Sequence, residues 1–489
     1  MKTNKRVVMP NEACGEPVEP VRHPVAKYPI GTTRFLVSTK NVGTRNDILL
    51  LLFLLGMFYN IALASDPIPA AKQKKPIALV GGTIHTVSGA VITNGTVLFD
   101  KGTIVAVGQT VTIPADAERI NISGKHVYPG LIDASSDMGL TEIGSVRGTL
   151  DARENGTINP NARAEVAVDA ESEMFPVARS GGILIANSRP ASGIISGTAA
   201  ALMMDGWTYE DMTLKAPLGL VVNWPSMVFT QGGFGFGGGG QPQVRETWQR
   251  QRDEQLKSLH DAFADARGYM IAKKAETQKG VPYYETDPRW EAMIPVLEGK
   301  VPVHVYANEL TQIQAAVTWA EREGVKLVIV GGRDALRASE QLKAKNIPVI
   351  VGPILTAPAR QYGDYDERYK LPMMLKAAGV QFCIAGDGSA SNSRRVPHHA
   401  AAAAAFGLSK EDALKAITLS AAQVLGIADR VGSLETGKDA TLIITNGDPL
   451  ELSTTVEQAF IQGKKLDMRD RHKRLYNKYT EKYKQLSGK

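Results

Sequence analysis

The chain has 489 residues, 43% of them hydrophobic and 22% charged, a globular composition that excludes a disordered or fibrous protein. That length supports a large core without disulfide or metal staples. The formal net charge is +6, but residues 1–64 hold eight Lys/Arg against four Asp/Glu, so the rest is close to neutral and gives no reason to expect nucleic acid as a partner.

In chain order, residues 1–46 show no helical or strand period and read as a non-globular leader, most of it expected to lie upstream of the true translation start. Residues 47–64 carry the apolar run ILLLLFLLGMFYNI, preceded by Arg45 and followed by Ala62-Leu63-Ala64. A basic flank, a short apolar core and an A-x-A site predict a secretory signal peptide cleaved before Ser65, hence a periplasmic or secreted protein. The other reading, a membrane anchor, needs about 20 apolar residues. Membrane contact is expected only if this segment stays uncleaved. Cleavage would remove Cys14 and leave Cys383 alone, with no intramolecular disulfide. Residues 65–75, SDPIPAAKQKK, read as a mobile polar linker.

Residues 76–127 alternate apolar and polar positions between glycine turns, as in IALVGGTIHTVSG and GTVLFDKGTIVAVG, and predict an antiparallel β module. Residues 429–467 repeat that character. Two β-rich pieces flanking an α/β stretch predict one composite β-sandwich built from both chain ends. Between them, residues 128–428 alternate eight buried-type strands with helical stretches. The strands are GLIDASS, GGILIANS, GTAAALMM, LGLVVNW, VPVHVYA, VKLVIVGG, IPVIVGP and VQFCIAGD, the pattern of a (β/α)8 TIM-like barrel.

In such a barrel the loops after the strands form the active face. The polar segment 140–165 follows the first strand and is expected to shape a pocket. The run QGGFGFGGGG at 231–240 reads as a flexible connector or a lid. His398 and His399 follow the eighth strand and read either as a base or ligand-binding pair or as the start of a helix. Arg394 and Arg395 precede them and offer anion contacts or none. His304 lies two residues before Tyr306, on the same side of its strand, as an interior or supporting group. His85, His126, His260 and His472 read as structural or surface residues. The tail, 468–489, is basic, with Leu475, Tyr476, Tyr479 and Tyr483 on one helical face, and is expected to dock on its own domain.

PGLIDASSD (129–137), together with GGTIHTVSG, PVHVYANEL, KLVIVGG and DALKAITLSAAQVLGIADRVGSLETGKDATLIITNGDPL, resembles the amidohydrolase superfamily, in particular its imidazolonepropionase-like branch. The resemblance covers most of residues 76–467 and implies a metal-dependent hydrolase of non-peptide C–N bonds, with a barrel and a composite β domain. It also implies where ligands would stand. The two histidines of the first-strand H-x-H fall on Ser135 and Asp137. The fourth-strand ligand falls near Asn223, the fifth-strand histidine on Tyr306 and the sixth-strand histidine on Gly331. The eighth-strand aspartate is kept as Asp387.

Zinc needs about three converging imidazole or carboxylate ligands, and this set does not supply them. Asp137 and Asp387 would suit a harder divalent ion better, so a metal of the usual His-ligated kind is not expected. The resemblance therefore gives an amide or cyclic-amide hydrolase, with Asp387 as base and Tyr306 and Asn308 as polarising groups. The alternatives are a catalytically silent barrel that binds a small ligand in the cell envelope, and an envelope interaction protein working through its tail and Gly-rich loop. A small molecule is the expected partner, and assembly into a homo-oligomer stays open.

Overall fold

The structure is a computed structural model that describes residues 68–229, 244–276 and 282–487. The leader, the signal segment, Cys14 and the Gly-rich run 231–240 lie outside the described residues.

Sixteen strands are described. β1 (Ile77–Ile84), β2 (Ile92–Asp100), β3 (Thr103–Gly108), β4 (Glu118–Asn121) and β5 (His126–Pro129) come from the front. β6 (Leu131–Ser136), β7 (Ile183–Ser188), β8 (Ile195–Met203), β9 (Thr213–Asn223), β10 (Val303–Ala307), β11 (Leu327–Gly331), β12 (Val349–Val351) and β13 (Phe382–Ile384) form the barrel. β14 (Leu442–Thr445), β15 (Val456–Ile461) and β16 (Lys464–Lys465) close the chain.

The composite β domain is built from both ends as expected. Its strands hydrogen-bond in the order β16-β15-β14-β5-β1-β2-β3, with β4 on β1. The β2–β3 hairpin turns on Lys101 and Gly102, both at positive φ (50° and 84°), the two-residue turn that matches strand twist and that glycine makes inexpensive. The sheet curls until its β3 edge meets residues 437–440: Ile104 N donates to Lys438 O at 2.8 Å, and Ala440 N to Gly102 O at 2.8 Å. Phe99 and Phe460 meet edge to face at 5.1 Å inside it. The described part of the predicted linker, 68–75, hydrogen-bonds to the fold. Ala70 N donates to Asp205 Oδ2 (3.0 Å), and the Gln73 side chain binds Phe99 O and Gly102 N, both at 2.9 Å.

All eight barrel strands fall on the predicted segments and form one sheet in chain order, β6 to β13. The expected alternation with helices fails at one place. β8 runs antiparallel to both β7 and β9, while the remaining neighbours pair in parallel. Residues 189–194 join β7 to β8, and a parallel return needs a dozen or more residues, so the third strand must reverse. A three-stranded meander thus replaces two βα units. It brings the start of β8, not its end, to the rim where the other strands finish. The sheet closes between β6 and β13, where Ser136 bridges Gly388 and Asp137 N donates to Gly388 O at 3.0 Å.

Segment 140–165 lies along reversed β8, with Ile194 N donating to Thr157 O and Thr198 N to Ala162 O, both at 2.7 Å. It buries its own small cluster of Leu140, Ala152 and Ala164. Buried Arg179 and Asp205 pair at 2.9 Å beneath the barrel wall. The tail departs from expectation. The helix Arg471–Ser487 is held at its start by the Arg474–Glu173 ion pair (2.6 Å), yet it has no buried residue, and Leu475, Tyr476, Tyr479 and Tyr483 stay exposed.

Candidate active site

The C-terminal ends of the strands enclose a cavity of about 170 Å³, lined by Ser135, Arg189, Tyr306, Asn308, Gly331 and Asp387 among others. A larger cavity, about 680 Å³, lies at the opposite end, around Leu218, Pro302, Lys326 and Pro348 at the starts of β9 to β12. The smaller one is the candidate, because barrel chemistry sits where parallel strands end.

Period-two alternation explains why these residues meet. On β6 and β10 the last inward positions are Ser135 and Tyr306, and their hydroxyls stand 2.8 Å apart. Burial pushes the Tyr306 phenol above its ordinary pKa, opposed by the Arg189 guanidinium and the Ser135 hydrogen bond. Arg189 is the first residue of the β7–β8 link. Its Nε donates to Ser135 Oγ at 3.3 Å, and its Cζ lies 4.4 Å from the Tyr306 ring centroid. At Gly331 (φ 94°) an added Cβ would come within 2.6 Å of Asn308 Oδ1, so the missing side chain is what admits the Asn308 amide. Asp387 stands exposed just after β13, where that strand's end adjoins the end of β6. Its Oδ1 accepts from Ser389 N at 3.1 Å and its Oδ2 from Asn392 Nδ2 at 2.7 Å.

The structure therefore brings together Ser135, Tyr306, Asn308, Gly331 and Asp387, and leaves four other candidates outside the cavity lining. The Asp137 carboxylate accepts from Ala390 N, fastening the loop after β13 to the first strand. Asn223 donates through Nδ2 to Gly193 O and Ser196 Oγ, both at 2.9 Å, tying β9 to the β7–β8 link. His398 turns away into a groove with Arg394, Arg395 and Leu452, and burial followed by the two arginines lowers its pKa. His399 is buried, and its Nδ1 accepts from Ile354 N (3.1 Å) and Leu355 N (3.2 Å). It is a scaffold acceptor rather than a free base, with its pKa lowered by burial to about 4. Interior His304 packs against Gly219, and burial likewise lowers its pKa to about 4. No residue of 140–165 lines the cavity.

Two residues that bear on the site escape sequence reasoning. Arg189 was hidden because its place at the rim depends on β8 running backwards; the short link was the available signal. Asp133, fully buried beneath the mouth, accepts from Ser393 Oγ at 2.6 Å and from Ser135 N and Gly386 N at 3.3 and 3.4 Å, which helps seal β6 to β13. Burial, outweighing these hydrogen bonds, raises its pKa to about 6.

The metal implied by the resemblance can be tested against this donor set. Among the described residues, no three His, Cys, Asp or Glu side chains converge to hold an ion. The cavity wall instead offers the Asp387 carboxylate, two neutral hydroxyls and a guanidinium whose charge repels a cation. A zinc-type ion does not fit such a set.

Residues 305–466 match the amidohydrolase family. Over 399 residues the chain is 23% identical to amidohydrolase tasK of Hapsidospora irregularis, spanning 76% of this chain and 39% of that protein. It is 30% identical over 148 residues to imidazolonepropionase of Maricaulis maris, 29% of this chain and 35% of that one. The chain thus spans well under half the length of these curated relatives. Its fold is similar to the crystal structure of an amidohydrolase from Thermotoga maritima, with a TM-score of 0.71 and 27% identity over 80% of this chain and all of the other. Motifs, barrel with composite β domain, and these likenesses agree in supporting the amidohydrolase superfamily.

Proposed function

We propose that the protein is an exported hydrolase of a non-peptide C–N bond, in a small amide or cyclic amide, working with a centre in which most of the superfamily's metal-binding positions carry other residues. The observation that carries this reading is the convergence of Ser135, Tyr306, Asn308 and Asp387 on one cavity at the C-terminal mouth of a barrel of this superfamily. Tyr306 and Asn308 offer hydrogen-bond donors to a carbonyl oxygen, whose developing charge they stabilise. Asp387 takes the proton of a water that adds to the carbonyl carbon. When the C–N bond breaks, that proton passes to the leaving nitrogen, giving acid and amine. Export rests on the apolar run and A-x-A site of residues 47–64.

The test is a substrate panel, read as amine release from N-acyl amino acids and ureas, and ring opening of hydantoins to ureido acids, by the mature protein purified without chelator, with its metal content measured alongside. Turnover that falls at least about 100-fold in Asp387→Asn supports the reading, general base catalysis being worth that much. One observation favours a second reading, a small-ligand-binding barrel without turnover: both Asp387 oxygens already accept hydrogen bonds, and the described residues hold no three-ligand metal cluster. Absence of turnover across the panel, in protein stabilised by a small ligand, would leave that reading in place.

A further inference from the structure

Arg189 differs from the arginines that ion pairs hold in this fold. Arg179, Arg360 and Arg430 are each held by a carboxylate, Asp205, Asp334 and Asp439 respectively. Among the described residues no carboxylate pairs with Arg189, although it lines the cavity at the barrel mouth. Its placement is nonetheless fixed. The backbone N donates to Ser136 O at 3.0 Å, Nε donates to Ser135 Oγ, and the guanidinium carbon lies over the Tyr306 ring. An arginine seated over an aromatic ring and hydrogen-bonded to both Ser135 and Tyr306 is pre-organised, and with five N–H donors a guanidinium keeps some for a planar oxyanion. Because the side chain is already ordered, binding there loses little further entropy.

The surrounding wall adds to this. Asn308, admitted by Gly331, supplies a neutral amide donor on the same cavity lining. Asp387, on the same cavity lining, supplies an acceptor suited to an N–H rather than to a second anion. The mouth thus carries one cationic and one anionic side chain, within a volume of about 170 Å³ suited to a molecule of amino-acid size.

We propose that Arg189 makes the barrel mouth an oxyanion-binding site whose ligand is a small molecule with a carboxylate, held by the guanidinium, and an N–H that faces Asp387. N-acyl amino acids are the simplest such class. The inference rests on the proposed function only in using the same cavity; binding is independent of turnover. It assigns to an arginine the positive charge that a metal ion supplies in the family the sequence resembles.

The experiment is calorimetric titration of the chelator-treated mature protein with N-acetylglycine, with its neutral counterpart N-acetylglycinamide, and with acetate. N-acetylglycine is expected to bind about 10- to 100-fold more tightly than the neutral amide, the range for hydrogen bonds to charged groups. Arg189→Gln should abolish that preference, Arg189→Lys should keep part of it, and Arg394→Gln, outside the cavity, should keep all of it. Circular dichroism melts check that each variant folds, and Arg189→Lys keeps the test open if Arg189→Gln does not. Equal binding of the charged and neutral probes, a preference surviving Arg189→Gln, or no binding of either carboxylate overturns the proposal. N-acetylglycine binding through Arg189 without turnover sinks the hydrolase reading alone. Turnover of N-acyl amino acids with a KM unchanged by Arg189→Gln sinks this proposal alone.

Discussion

Replacing His399 tests whether that residue is a scaffold acceptor or a working base. The side chain is 3% exposed, and its Nδ1 accepts from Ile354 N and Leu355 N. Those bonds hold the segment after β12, where Gly352 and Pro353 line the cavity. A protonated ring has no acceptor at Nδ1, so protonation breaks both bonds. Burial lowers the folded pKa from 6.5 to about 4, only partly offset by Asp387. Between those values the unfolded chain binds the proton and the folded chain does not. The His399 contribution is therefore intact above pH 6.5 and is lost as the pH falls toward 4. At 1.36 kcal/mol per unit, that loss is about 3 kcal/mol. Asparagine places an acceptor near the Nδ1 position and does not titrate. His399→Asn should lose about 2 kcal/mol at pH 7.5 through poorer packing, but decline less steeply in acid, so the two stabilities meet near about pH 5. His399→Ala leaves two buried N–H groups unpaired and should lose about 2–6 kcal/mol. Urea unfolding followed by circular dichroism at several pH values between 7.5 and 4.5 measures this. Wild type and His399→Asn losing stability in parallel would refute the reasoning, because the other titrating histidines are common to both.

Asp133 predicts the opposite slope. Its folded pKa is raised to about 6, so its favourable contribution is fully present below about pH 4 and is lost as the pH rises through 6. Asp133→Asn should consequently be more stable than wild type by up to about 3 kcal/mol at pH 7.5 and indistinguishable from it near pH 4, by the same unfolding assay; a difference independent of pH would count against a charged Asp133 at neutrality. Arg179→Ala removes one partner of a buried pair and strands Asp205, which also holds Ala70 N. It should lose about 3–5 kcal/mol. Hydrogen exchange should show residues 68–73 released at the same time, and unchanged protection there would show that the anchoring lies elsewhere.

The sequence by itself determined most of this architecture. Continuous apolar runs bounded by Gly and Pro placed all eight barrel strands, because a strand buried on both faces has to be apolar throughout. Alternation along β6 and β10 then put Ser135 and Tyr306 on the inner side at the rim, and the position after β13 did the same for Asp387. The same apolar character conceals strand direction. Nothing in GTAAALMM says which way it runs, and only the length of the link from Ser188 to Ile195 constrained it. The tertiary structure decided that β8 reverses and that Arg189 consequently stands over Tyr306. It also decided which polar residues were free to act. Asp137, Asn223 and His399 are similar in kind to the residues that line the cavity, but backbone groups distant in sequence take up their hydrogen bonds. A residue's chemistry is written in its side chain, whereas its availability depends on which unsatisfied groups the fold brings beside it.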